Sequence, residues 1–222
     1  MYALTVLLRR WCPLQTNLIV AGVGGQGVIT AGFMIAETMS VMGKNVVMSE
    51  IHGLAQRGGA VTVEIRVGDV YSPIIPKGRA DIILGFEPIE TVRAADKANP
   101  ETFILMNSEE QAPVSLSMEG HEYLPDDDIS RLLKPFKRVV KINATQLALE
   151  AGNTRTINTV MVGAAIATSV LPITPGDLKL TLRKRFNKSL YDVNEKALNL
   201  GINYVKNDII QNDDGEIKNL HS

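Results

Sequence analysis

Residues 17–50 read NLIVAGVGGQGVITAGFMIAETMSVMGKNVVMSE. Residues 17–21 are a short apolar run rich in branched side chains, the length of a buried strand. Gly22-Val23-Gly24-Gly25-Gln26-Gly27 follows without a spacer. Val28, Phe33, Ile35, Ala36 and Met39 then recur at helical spacing, and Gly43-Lys44 suits a helix C-terminus. Val46-Val47-Met48 begins a second strand, which Glu50 closes. The stretch predicts a strand, a glycine turn, a helix and a second strand.

Gly22, Gly24 and Gly27 fit the G-x-G-x-x-G spacing. Glycines so placed permit a tight turn, close approach of a ligand to the backbone, and close packing of helix on strand. The free N–H groups that open the following helix favour an anion such as a phosphate. Glu50 lies about 20 residues on, where a dinucleotide-binding fold places its ribose-reading acid. Two readings follow from the residues alone. One is a stand-alone NAD(P)-binding oxidoreductase. The other is a non-catalytic scaffold in which the glycines serve only the turn.

The chain around this unit has 222 residues, 45% hydrophobic and 21% charged, with a formal net charge of −1. These values suit a globular protein with one large domain, or a domain plus a small extension, and give no reason to expect nucleic acid or an anionic membrane as partner. The lone cysteine, Cys12, can neither form an internal disulfide nor hold an iron–sulfur cluster by itself. A cytoplasmic setting is the natural expectation. No apolar run approaches the ~20 residues that span a bilayer. Arg9 and Arg10 follow the first apolar stretch, whereas a secretory signal carries its positive charge in front. Residues 1–16 therefore read as a peripheral extension, residues 17–206 as the domain, and the polar residues 207–222 as a flexible tail.

Beyond Glu50, residues 51–59 read IHGLAQRGG, a polar, glycine-containing loop at the end of the second strand. Residues 60–67 alternate like a strand, and Gly68-Asp69 suggests a tight turn into residues 70–73, hence a hairpin. Strands are expected at residues 81–86, 102–106 and 139–142, with a weaker one near 114–116. Helices are expected from Glu87-Pro88 to about 98, then over 126–133, 144–151, 156–170, 176–186 and 190–205. The 156–170 segment, with Gly163, Ala164, Ala165 and Ala167, allows close packing and reads as a central helix. The fold class is α/β: a Rossmann-like, mainly parallel sheet flanked by helices, with a β-hairpin insertion.

No G-K-S/T phosphate loop, G-x-S-x-G elbow, H-E-x-x-H or C-x-x-C motif is present, and His52, His121 and His221 are scattered, so no metal site and no catalytic residue is expected in this chain. The chemical groups that remain are His52, Gln56 and Arg57, beside Gly58 and Gly59. They lie on a loop that should face the Gly22, Gly24, Gly25, Gln26, Gly27 turn at the C-terminal ends of the strands. Arg57 suits an anion. The bland alternative is a loop whose polar side chains fix its own fold.

Three separated stretches then carry a resemblance: GVGGQGV from Gly22, SEIHGLAQRGGAV from Ser49, and YSPIIPKGRADIILGFEPIE from Tyr71. In this order they resemble the gamma-type domain of 2-oxoacid:ferredoxin oxidoreductases, most closely the beta subunit of the indolepyruvate branch, over roughly residues 17–205. Asn158, in TINTVMVGAA, stands where that family tends to carry an asparagine before its small-residue helix. The resemblance implies an accessory subunit, inactive alone, of an enzyme that oxidatively decarboxylates an aryl pyruvate to an acyl-coenzyme A and passes electrons to ferredoxin. It places thiamine diphosphate and iron–sulfur clusters on a large alpha subunit, so that no cofactor is bound by the isolated chain and the assembly is a hetero-oligomer. It also favours coenzyme A phosphates, or the subunit interface, over NAD at the glycine turn, and so demotes the ribose reading of Glu50. Residues 1–16 are a departure that the family does not need.

Overall fold

The computed structural model describes residues 15–53, 58–113 and 122–219. Strand β1 (Thr16–Val23) runs into the glycine turn and helix α1 (Val28–Val41), as its apolar run and helical spacing predict. Strands β2 (Val46–His52) and β3 (Ala60–Val67) follow. Then come β4 (Ile82–Gly85), α2 (Pro88–Ala94), β5 (Phe103–Asn107), α3 (Asp126–Leu133) and β6 (Arg138–Ile142). The chain ends in helices α4 (Ala144–Ala151), α5 (Ile157–Ala167), α6 (Pro175–Arg185) and α7 (Lys188–Asn219). α7 runs on past the expected end at 205 into the polar residues read as a tail. The weak strand expected near 114–116 lies outside the described residues, as does most of the 1–16 extension.

The six strands form one sheet in the order β2-β3-β1-β4-β5-β6. β1, β4, β5 and β6 pair in parallel, and β3 pairs antiparallel with both β1 and β2. The fold is thus α/β with a mixed sheet, three of its five pairings parallel. The hairpin is made by β2 and β3, not by residues 60–67 and 70–73. After Gly68 the chain leaves β3 and packs against one face of the sheet. Ile75 is buried there and donates its N–H to the Glu64 carboxylate at 2.6 Å, and Arg66 holds the Ser72 and Ile74 carbonyls. Pro73 has no N–H to give to a ladder.

Side chains alternate across the sheet and build two apolar layers. Leu18, Val20, Val63, Ile65 and Leu84 pack with α1 and the C-terminal helices on one face. Ile19, Ala21, Ile83 and Ile104 pack with Ile75, Ile89 of α2 and Ile129 of α3 on the other. α5 is the central helix its composition predicts. A Cβ on Gly163 would sit 2.4 Å from the Leu198 carbonyl oxygen, and one on Gly201 would sit 2.1 Å from that of Val160. α5 and α7 therefore cross backbone to backbone.

Candidate functional site

The C-terminal ends of β1, β4 and β5 lie side by side, and the glycine turn rises from the first. Gln26 locks the turn: its N–H donates to the Val23 carbonyl (3.1 Å), and its side-chain oxygen accepts from the Val23 N–H (2.8 Å). The amide oxygen of Gln26 is therefore spent on the turn itself. Gly25 and Gly27 have φ of 110° and 88°, backbone that side chains rarely adopt. Gly22 is pressed against its neighbours, since a Cβ there would lie 2.7 Å from Phe86 Cβ.

Gly24 donates its N–H to the Gly59 carbonyl at 2.9 Å, and Gly58 donates to the Gly24 carbonyl at 3.4 Å. The turn and the end of the 53–59 connection are thus bonded backbone to backbone. Gln56 and Arg57 lie outside the described residues. Glu50 and His52 do not join the turn. β3 lies between β1 and β2, so Glu50 is two strand spacings away from β1, about 10 Å. It is exposed and faces His52, with Nε2 at 3.2 Å from its carboxylate. The ribose-binding role considered for Glu50 fails for that reason: it requires the second strand beside the first.

Gly27 ends the turn and opens α1. The helix has no side-chain cap and no acidic residue in its first turn. α5 opens in the same manner, behind Thr156. The two helix starts meet, because Asn158 packs on Gly27, its Cβ 3.3 Å from where a Gly27 Cβ would stand. Asn158 turns its side-chain oxygen to the Thr159 N–H (2.8 Å), and Thr159 is fixed by Asn194 of α7 (2.5 Å). The first N–H groups of α1 therefore have no side-chain cap, beside a backbone that admits close approach, whereas at the start of α5 the Ile157 N–H donates to the Thr154 carbonyl and the Thr159 N–H to Asn158. That arrangement favours an anion.

Next to the turn lies a cluster that the sequence pattern presents only as a helix start. Glu87 caps α2 by accepting from the Glu90 N–H (2.9 Å), and the Tyr123 hydroxyl donates to its other oxygen. Glu87 is fully buried, and that burial pushes its carboxyl above the usual range. Burial does the same to Glu90, against the opposing pull of Arg93 at 2.7 Å. Burial and the neighbouring Glu87 also raise the Tyr123 phenol. Asn107 ties the strand ends together by donating to the Phe86 carbonyl (3.2 Å) and accepting from the Ala144 N–H (3.0 Å). Among the described residues no group of three or more His, Cys, Asp or Glu side chains is placed to hold a metal. None of the described helices is long and apolar enough to cross a membrane.

The sequence model of the pyruvate ferredoxin/flavodoxin oxidoreductase family matches residues 17–204, from the first residues of β1 into α7. The chain belongs to this family. Within it, the chain is 42% identical over 189 residues to the indolepyruvate oxidoreductase subunit IorB of Methanothermobacter thermautotrophicus, covering 85% of this chain and 96% of that one. It is 37% identical to the IorB subunit of Archaeoglobus fulgidus, covering 86% and 95%. The gamma subunit of a keto/oxoacid ferredoxin oxidoreductase from Geobacter sulfurreducens shares the fold, with a TM-score of 0.63 at 23% identity over 86% of this chain and 98% of that one. A matching structure of a 2-oxoglutarate:ferredoxin oxidoreductase from Magnetococcus marinus (TM-score 0.64, 22% identity) covers 86% of this chain but only 31% of that chain. There the same fold is one part of a longer polypeptide. Membership in the pyruvate ferredoxin/flavodoxin oxidoreductase family, with near full-length matches to named subunits, makes the chain an accessory subunit of a 2-oxoacid oxidoreductase.

Proposed function

We propose that the chain is the accessory, beta-type subunit of an enzyme that oxidatively decarboxylates indolepyruvate or another aryl pyruvate to an acyl-coenzyme A, with ferredoxin as electron acceptor. The two IorB relatives described above are named for indolepyruvate, which supports the aryl side chain. The chain is inactive by itself. A large partner subunit carries thiamine diphosphate and the iron–sulfur clusters, which supply the decarboxylation and electron transfer. One cysteine in the whole sequence does not suit a cluster of this chain's own. The low cysteine content fits a cytoplasmic setting.

The observation that carries the site reading is the uncapped start of α1 behind Gly27, held against Asn158 of α5, beside a turn open to close approach. The chain's residues bind and orient. The backbone N–H groups after Gly27 suit a coenzyme A phosphate, and Arg57 on the adjoining connection suits a second anionic contact, either on that ligand or on the partner. Asn158 holds the turn in place from α5.

A charge-assisted hydrogen bond of this type is worth about 1.5–3 kcal/mol, or roughly tenfold to a hundredfold in affinity. The test is steady-state kinetics of the co-expressed complex, with subunit affinity measured alongside. Arg57→Ala is expected to raise KM for coenzyme A, or to weaken assembly, by that factor. If neither quantity moves, the connection is structural and the site assignment fails.

A further inference from the structure

Two carboxamides flank Gly27. Gln26 precedes it in the turn, and Asn158 packs on it from α5. The Gln26 side-chain oxygen accepts from the Val23 N–H, and the Asn158 side-chain oxygen accepts from the Thr159 N–H, each at 2.8 Å. A backbone N–H only donates, so the atom that meets it is the oxygen, and the nitrogen is the other end of each amide. Local backbone thus fixes which way both side chains are turned. Neither nitrogen has a hydrogen-bond partner among the described residues. Asn158 Nδ2 stands 3.4 Å from where a Gly27 Cβ would be, closer than its own Cγ at 3.6 Å. The nitrogen is therefore the end of this amide that lies toward the start of α1.

A buried network stands behind Asn158. The Asn194 side-chain nitrogen donates to the Leu190 carbonyl (2.8 Å), which only accepts. The Asn194 oxygen is therefore the end that faces Thr159, and the Thr159 hydroxyl donates to it (2.5 Å). Thr159 and Asn194 are both buried. Neither is exposed enough to meet a ligand, and their bond crosses from the first turn of α5 to α7. Buried polar groups cost stability unless they are paired. Here the pairing holds in place the one residue of α5 that packs on Gly27.

We infer that the side-chain nitrogens of Gln26 and Asn158 are ligand-contacting donors for the diphosphate oxygens of coenzyme A, and that Thr159, bonded to Asn194, is a positioning residue that keeps Asn158 over Gly27. The inference rests on reading the glycine turn as the coenzyme A site. With both side-chain oxygens spent, each of these two side chains offers only N–H groups, beside the uncapped N–H groups that open α1. The group that fits accepts hydrogen bonds and has none to give. Phosphate oxygens meet that requirement, and their charge strengthens each bond. A hydroxyl or an ammonium group leaves the nitrogens opposed by another donor.

The test is steady-state kinetics of the co-expressed complex, with coenzyme A as the varied substrate and inorganic pyrophosphate as a competitor. Asn158→Asp and Gln26→Glu keep the oxygen that each backbone N–H needs and put a second oxygen where the nitrogen was. Each should raise KM for coenzyme A and the pyrophosphate inhibition constant about tenfold or more, while kcat and KM for the 2-oxoacid hold. Asn158→Ala removes the donor without adding charge and should raise the same two constants by a smaller factor. Thr159→Val should shift them in the same direction with kcat unchanged, and Thr159→Ser should restore them. A fall in kcat alone would mark loss of folded complex instead, and a Thr159→Val complex with wild-type constants removes the positioning role. Unchanged constants in Asn158→Asp and Gln26→Glu, where Gly27→Ala still raises KM, overturn the inference and leave the coenzyme A site standing. If Gly27→Ala and Arg57→Ala also leave KM unmoved, the site reading falls and the inference with it. Should the charged variants fail to assemble, unchanged constants in Asn158→Ala overturn the inference in the same way.

Discussion

The sheet is built by two different rules on either side of β1. Every residue of β4 and β5 is buried, and none of β2 is. The parallel half is covered by helices on both faces, so its strands are specified by side-chain packing and read as continuous apolar runs. β2 is held mainly by its backbone ladder to β3, which satisfies it without burying it, while β3 itself is packed into the core through Val61, Val63, Ile65 and Val67. The half fixed by packing holds the glycine turn and the Glu87 cluster rigid. The half held by the ladder ends in β2, which has no further strand beside it among the described residues.

The sharpest way to break this division is to overfill the packed half. Gly163→Val puts a branched side chain where α5 meets the Leu198 carbonyl, and should cost about 3 kcal/mol or more in urea unfolding. A smaller loss would show that the α5–α7 crossing yields. Truncation tests both halves together. Leu84→Ala in buried β4 should cost about 3 kcal/mol, and Ile51→Ala in β2 about 0.5 kcal/mol. Equal losses in the two strands would erase the distinction.

Between them stands the turn. Gly27→Ala forces a side chain into φ of 88° against Asn158, at about 1–2 kcal/mol. It should also raise KM for coenzyme A in the complex. Lost stability with unchanged kinetics would reduce the turn to a structural role.

The smallest effect sharpens the packed side. Glu87 has its folded pKa raised by burial, so its proton stabilises the fold below the unfolded pKa, and that contribution is lost as pH rises through the folded value. Glu87→Gln keeps a neutral group. Its melting temperature relative to wild type should therefore rise between pH 5 and pH 8. A gap independent of pH would mean that Glu87 is not held in its neutral form.

Much of the fold was legible because its cues are local. Gly25 and Gly27 at positive φ, the helical recurrence from Val28 to Met39, and the small residues of α5 each act through neighbouring backbone. The glycine turn was found by the same signal. The ends of helices were less legible: α7 continues beyond residue 205 although Asn207, Asp208, Asn212, Asp213, Asp214 and Gly215 are weak helix formers, so neither polarity nor low propensity alone marks its end. Glu87 was readable as a cap before Pro88, but the burial that changes its chemistry comes from Tyr123 and the strand ends around it.

The sequence by itself determined the strand–turn–helix unit, the α/β class, the anion-favouring helix start and, through three ordered motifs, the family. Only the tertiary structure decided that β3 enters between β1 and β2. That one placement takes Glu50 away from the turn and leaves the outer side of β2 without a neighbouring strand among the described residues. It also decided that Asn158 meets Gly27 across 131 residues of chain. The physical reason is common to both. Periodicity and dihedral preference act within a few residues, whereas strand order and helix contact are set by which apolar faces can be buried together over the whole chain.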